Sequence, residues 1–285
     1  MNNSKSKNFF EFNHLNSLFK WYPHIEKVVP TPKTTMIPGK IDSFDDMFAG
    51  SDAGFNLMVK QVCEAANGLG YPVFLRTDHT SNKHAWRDSC YIASETDIRS
   101  HMLNLVEFTE CIMTLMFGGF VVREFLELNT VFNAFSDMPV AVEFRYFIKN
   151  DKILCRHPYW VAGAMRRVNC FDWQPKLKSM SKLYPAHQRV LDDYAQKISR
   201  AVEPLGVPEN FWSIDFCQTK QGKWFVTDMA IGMDSFHYQK CKHAPVEMKK
   251  IYGDLEDTSQ VTYTKEIYQK HPELKKNLGS MGDYF

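Results

Sequence analysis

The chain has 285 residues, of which 44 % are hydrophobic, 14 % aromatic and 24 % charged, with a formal net charge of +1. That length permits one large domain or two small ones packed together, and the aromatic content permits a sizeable core. The near-neutral balance gives no electrostatic reason to expect nucleic acid or an acidic membrane surface as a partner, and no run approaches the ~18 consecutive apolar residues of a membrane span.

The polar start, Met1 to Asn8, reads as a frayed end with no apolar run behind it, so no signal peptide is expected. Pro23, Pro30, Pro32 and Pro38 mark residues 21–38 as extended or looped. Phe55, Val59, Val62 and Ala66 recur at helical spacing across residues 53–67, and Gly68 and Gly70 end that helix. A short strand follows from Tyr71 to Arg76, then a polar loop from Thr77 to Lys83. Ser94-Glu95-Thr96-Asp97 is a capping-box helix start, with Ile98, Met102, Leu105 and Val106 as the apolar stripe behind it.

Phe120 to Leu126 and Val140 to Ile148 are strand-like, and Asn150-Asp151 is a two-residue hairpin turn leading into Ile153 to His157. Gln188 to Val202 is an amphipathic helix stopped by Pro204 and Gly206. Phe211 to Cys217 and Lys223 to Ala230 are strands joined through Thr219 to Gly222, and the tail from Ala244 is polar and weakly helical. Antiparallel hairpins with interspersed helices give an α+β fold class. The seven cysteines are odd in number, widely spaced and without CxxC, which argues against a disulfide framework or a cysteine zinc site and for reduced thiols in the cytoplasm. None of the ten histidines shows HxH or HExxH spacing, and no serine or cysteine sits in a nucleophile elbow.

Two hairpins carry charge where apolar residues are expected. In the later one, a short turn sets Asp215 opposite Val226, with Asp228 diagonal to Asp215 at roughly 7–8 Å and opposite Ser213. Trp212, Ile214 and Phe216 then meet Phe225 and Met229 on the core face. Two carboxylates in the middle of apolar strands are either magnesium ligands or aspartates paired with cations or facing water. In the earlier hairpin the Asn150-Asp151 turn sets Lys149 opposite Lys152 and Arg145 opposite Arg156, with Phe144, Tyr146, Ile148, Ile153 and Cys155 on the buried face. Facing arginines suit an anion between them, or a solvated face on which Glu143 supplies the partner. Arg123-Glu124 interrupts an apolar run, and the Thr77–Lys83 loop lacks glycine, so it is no Walker loop.

In this order, the strand ending at Arg76, the loop with Lys83, Glu124-Phe125-Leu126, Glu143-Phe144-Arg145, Ile214-Asp215-Phe216 and Asp228-Met229-Ala230 resemble the ATP-grasp superfamily over about residues 20 to 240. Within it, Trp21-Tyr22-Pro23, the Ser94–Asp97 helix start and Leu126-Glu127-Leu128-Asn129 are similar to the ATP-binding cell-division-cycle chaperone that assembles translation initiation factor two. The small ATP-grasp proteins of bacteriophages and bacteria are the other similar branch. The resemblance implies ATP and Mg2+ held between two α+β lobes whose antiparallel sheets sandwich the nucleotide. The lobes would be residues 21–119 and 120–240, between an N-terminal segment (1–20) and a tail (241–285).

The resemblance also implies roles for individual residues. Arg76 and Lys83 would lie over the phosphates, Glu124 would receive the adenine amino group with the backbone of Phe125 and Leu126 completing the hinge, and Arg123 would also bind the nucleotide. Glu127 or Asn129 would hold the ribose, Arg145 and Arg156 would meet the γ-phosphate as catalytic groups, and Asp215 and Asp228 would ligate magnesium. Three positions depart from the family pattern: Arg76 stands for the usual lysine, the phosphate loop has no glycine, and Ala230 stands where an asparagine ligand is usual. The implied activity is ATP-dependent ligation of a small-molecule or peptide carboxylate to a nucleophile through an acyl phosphate. The alternatives are an ATP-binding assembly module with a protein partner, and a phosphotransferase.

Overall fold

The computed structural model describes residues 14–111, 117–135, 137–238 and 241–244. The expected frayed start and helical tail lie outside the described residues.

Two four-stranded antiparallel sheets organise the molecule, each with its own apolar core. The first contains β1 (Thr34–Pro38), β2 (Val73–Thr77), β3 (Tyr91–Ile92) and β4 (Gly119–Glu124) in the order β1-β4-β2-β3. Its helices are α2 (Phe44–Ala49), α3 (Ala53–Leu69) and α4 (Ile98–Cys111). The expected spacing holds in α3, where Phe55, Val62 and Ala66 are fully buried. Asp52 caps this helix by accepting from the Phe55 amide at 2.7 Å, and Gly70 ends it at φ 82°. The capping box at Ser94–Asp97 is present ahead of α4.

β4 is a central strand of this first sheet, paired with both β1 and β2. Residues 120–124, expected to open the second lobe, therefore belong to the first sheet. Gly119 opens β4 at φ 142°, where a β-carbon would collide with the Ile37 carbonyl of β1.

The second sheet runs β10-β9-β7-β8, from β7 (Glu143–Lys149), β8 (Lys152–Pro158), β9 (Trp212–Gln218) and β10 (Trp224–Ile231). The stretch 138–148, expected as one strand from Val140, is split at Val142 into β6 (Met138–Ala141) and β7; β6 pairs with β5 (Thr130–Ala134) as a separate ribbon. Two further helices, α5 (Trp173–Ser181) and α6 (Tyr184–Val202), complete this half. On α6, Leu191, Ala195, Ile198 and Val202 are fully buried in the same core as Tyr146, Ile148, Ile214 and Phe216. Each large apolar side chain buried in this way contributes roughly 1.5–3 kcal/mol relative to exposure.

The proline-rich stretch departs from expectation, since α1 (Leu18–Ile25) forms there with Pro23 inside it. Ser17 caps α1, and Leu18, Trp21 and Ile25 are fully buried in the core of the second sheet. An apolar stripe with a burial site available outweighed the local proline penalty.

Both charged hairpins carry a β-bulge, and the bulges revise the expected registers. The Asn150-Asp151 turn forms with φ 46° and 60°, and Lys149 pairs with Lys152. The register then slips between Ile148 and Phe147, so that Arg156 faces Tyr146 and Arg145 faces His157. One extra residue, Leu154, reverses the side on which every later residue of β8 projects. Arg145 and Arg156 are therefore on opposite faces, and Cys155 leaves the core face for the open one.

In the β9–β10 hairpin, Gln218 faces Trp224 rather than Lys223, which puts Trp224 and Val226 in the core instead of Phe225. A second slip between Val226 and Asp228 then sets Asp228 directly opposite Asp215, and Ala230 opposite Ser213.

Candidate nucleotide site between the two sheets

A cavity of about 300 Å³ lies between the two sheets. Its apolar part is built from Phe74 of β2, Trp86, Phe125, Met138, Pro139 and Ala141. Trp86 stacks on Tyr91 with centroids 5.5 Å apart and leans on Phe125 at 6.1 Å, giving a rigid aromatic wall for a flat ligand. The hinge from β4, Glu124 to Leu128, lines one side. Glu124 accepts from the Lys33 amide at 2.7 Å, which holds its carboxylate at the cavity edge.

Charge fills the other end. Arg76 is 3 % exposed and reaches across from the first sheet to Asp228, Nη1 to Oδ1, at 3.0 Å. Arg123, also buried, donates to Thr34 Oγ1 at 3.1 Å and to the Thr227 carbonyl at 2.6 Å. Its Nη2 is buried without a hydrogen-bond partner. Burial pushes the Arg123 pKa down to about 10, and Arg76 beside it acts in the same direction. A buried cationic donor without a partner is costly, and an anion in the cavity would complete it.

Lys83 projects from the loop after β2 onto the second half of the molecule. Its ammonium lies 3.7 Å from Glu143, 4.0 Å from the Tyr159 ring centre and 4.7 Å from that of Trp160. Burial lowers the Lys83 pKa, but the Glu143 carboxylate together with Tyr159 and Cys217 outweighs it, and the group stays charged. Burial pushes Glu143 up to about 7, against the opposing pull of Lys83.

Arg145 and Asp215 form a two-pronged pair across β7 and β9, at 2.7 and 2.8 Å. Asp215 is 4 % exposed. Burial opposes the charge on Arg145, and Asp215 restores it, holding the pKa above its ordinary value. The two expected metal ligands, Asp215 and Asp228, thus share one face and each holds an arginine.

The remaining expected residues divide. Phe125, Leu126 and Glu127 line the cavity, with Glu127 also 3.8 Å from Lys220. Asn129 instead binds Gln218 Oε1 at 2.9 Å. Arg156 lies on the helix side of the second sheet, paired with Asp192 of α6 at 2.8–2.9 Å, and does not join the cavity. Glu143, Trp86, Trp160 and Cys217 line the cavity in addition to the expected set. For Glu143 a sequence signal exists, since it alternates with Arg145 on one strand face.

A family model for an ATP-grasp domain, the third family of its clade, matches residues 66–247. The chain belongs to this ATP-grasp family. The ATP-grasp fold agrees with the α+β architecture, and the match spans the aromatic wall, the hinge and both charged hairpins. Among curated proteins none matches the sequence.

Among solved structures, N5-carboxyaminoimidazole ribonucleotide synthetase from Thermotoga maritima is similar at 12 % identity and TM-score 0.39, over 78 % of this chain and 43 % of that one. A biotin carboxylase–β,γ-ATP complex from Campylobacter jejuni is similar at 11 % identity and TM-score 0.44, over 77 % and 41 %. The ATP-grasp ligase PsnB with a phosphomimetic precursor, Mg and ADP gives 10 % and 0.36, over 81 % and 53 %. The chain thus spans about half or less of the length of these structures.

Proposed function

We propose that this ATP-grasp protein binds MgATP in the cavity and transfers the γ-phosphoryl group to a carboxylate, forming an acyl phosphate that a nucleophile such as an amine then attacks. The observation that carries the reading is the buried, unpartnered Nη2 of Arg123 beside Arg76, Lys83 and Asp228 in the cavity lining, with Asp215, paired to Arg145, directly opposite Asp228 on the same face. An apolar slot leading to that charge cluster suits a purine followed by phosphates. Adenine would lie between Trp86 and the Glu124–Leu126 hinge.

Magnesium takes carboxylate oxygens together with phosphate oxygens, and Asp215 and Asp228 offer the former. Binding would exchange partners: the aspartates turn from arginine to the cation, and Arg76 and Arg145 turn to phosphate. The protein's contribution to phosphoryl transfer is then positioning and charge neutralisation at the γ-phosphate. Ala230, which offers no ligand atom, fits a single protein-held metal completed by water.

The test is ADP release by the purified protein across a panel of amino acids, peptides and small carboxylates, each with and without an amine. Acceptor-dependent ADP release, absent in Asp228→Asn, is expected. If the protein binds MgATP but no acceptor raises ADP release above that of the variant, the ligase reading fails. An ATP-ordered assembly module then takes its place. Both aspartates are already neutralised by arginine, so tight binding without turnover is compatible with the same geometry.

A further inference from the structure

After β10 the chain does not leave the second sheet. It turns back across the open face, over β9, then β7, then the edge strand β8. Ser235 hydrogen-bonds Ser213 of β9, and the Phe236 carbonyl accepts from Arg145 of β7 at 3.3 Å. The His237 ring stacks on Phe147 of β7 with centroids 3.9 Å apart, and Tyr238 stacks on His157 of β8 at 4.9 Å. The strap ends over β8 with Cys241 close to Cys155.

We propose that Cys155, His157, His237 and Cys241 form a tetrahedral site for one zinc ion that pins this strap to β8. Their sulfur and ring-nitrogen ligand atoms all lie within 4.8 Å of one another, and Cys155 Sγ is 3.1 Å from His237 Nε2. Zinc–sulfur bonds of about 2.3 Å and zinc–nitrogen bonds of about 2.0–2.1 Å put tetrahedral ligand atoms roughly 3.3–3.8 Å apart. The group therefore needs to contract by about an ångström at its widest.

Two thiolates and two imidazoles are the soft donor set that selects zinc over magnesium or calcium, and together they neutralise a divalent cation. Backbone geometry supports the assignment independently. Cys155 and His157 reach the open face together only because the Leu154 bulge reverses β8 there. The Nε2 of His157 is buried with no hydrogen-bond partner, and a metal bond would satisfy it. None of the four residues lines the nucleotide cavity, so the site is separate from it. It is joined to the two-aspartate face through the Phe236 carbonyl, next to His237, which helps to hold Arg145, the partner of Asp215.

The odd number, wide spacing and lack of CxxC argued against a cysteine zinc site in the sequence; the ligands come as Cys-x-His and, some eighty residues later, His-x-x-x-Cys. No single segment carries a finger-like spacing, and the juxtaposition exists only after the strap folds back.

The test uses the full-length protein, free of any polyhistidine tag and purified in reducing buffer. Elemental analysis should find one zinc per chain that survives dialysis. Exchange with cobalt(II) should give the visible bands and the thiolate-to-cobalt charge transfer of a tetrahedral site with two sulfur ligands. The Cys155→Ser/Cys241→Ser double variant should lose both. His157→Gln, a milder change in case the double variant does not fold, should weaken cobalt binding at least tenfold. Zinc far below one per chain together with no cobalt spectrum in the reduced wild type overturns the proposal. So does a Cys155–Cys241 disulfide in protein kept reduced, or zinc retained at full stoichiometry by the double variant.

Discussion

Replacing Asp215 with Asn, and separately Asp228 with Asn, distinguishes metal ligation from structural ion pairing, because the two aspartates differ in burial. The Asp215 side chain is 6 % exposed and that of Asp228 is 41 % exposed. Breaking a buried pair strands a charge and costs about 3–5 kcal/mol; the Arg76–Asp228 pair has a buried arginine but a half-exposed aspartate that solvent screens, so about 1–2 kcal/mol is expected there. Asp215→Asn keeps one acceptor oxygen for Arg145, so the lower end, ~3 kcal/mol, is expected. For a chain of this size that corresponds to a melting temperature lower by roughly 6–12 °C. Asp228→Asn should shift it less, by roughly 2–6 °C.

Magnesium-dependent nucleotide affinity should respond differently, with both variants losing it about tenfold or more, since each removes a ligand and a neutralising charge. Calorimetric titration of ATP with and without magnesium, well below either melting temperature, separates the two effects. If Asp228→Asn binds MgATP like the wild type, or if it melts as low as Asp215→Asn, the proposed exchange of partners is wrong.

Arg123→Met should leave stability within about 2 kcal/mol, because an apolar chain of similar size replaces a buried, incompletely satisfied charge. It should nevertheless weaken ATP binding about tenfold or more, and equal affinity would show that Nη2 is not a phosphate donor. Arg156→Gln should cost no more than ~1 kcal/mol and leave MgATP affinity unchanged, since Arg156 serves Asp192 on the other face; a large loss of affinity would reinstate it in the site. Glu143 supplies a pH dependence: its folded pKa of about 7 lies above the ordinary 4.5. Its contribution to stability is full below about 4.5 and is lost as pH rises through about 7, by at most ~3 kcal/mol. Urea midpoints of the wild type and Glu143→Gln should therefore diverge between about pH 5 and pH 8, and parallel curves would refute the assignment. Gly119→Ala should destabilise by several kcal/mol, seen in the urea midpoint, because its β-carbon meets the Ile37 backbone.

Local patterns were enough for several elements and for the family. The helix at 53–69, the capping box at Ser94 and the Asn150-Asp151 turn follow from spacing and side-chain chemistry alone, because their determinants lie within a few residues of one another. The ordered series Arg76, Lys83, Glu124, Asp215 and Asp228 was enough to suggest ATP-grasp. Registers were not legible, because a bulge is one extra residue with no side-chain signature, and one residue is enough to reverse a face. That is how Arg156 passed to the helix side while Cys155 and His157 came to the open face, and how Asp228 came to stand squarely opposite Asp215. Tertiary structure also decided where the charges end: Arg76 and Asp228, or Lys83 and Glu143, are far apart in the chain and meet only when the two sheets close on each other. The strap from Ser235 is the extreme case, since four residues of no legible motif converge there through its packing against β9, β7 and β8.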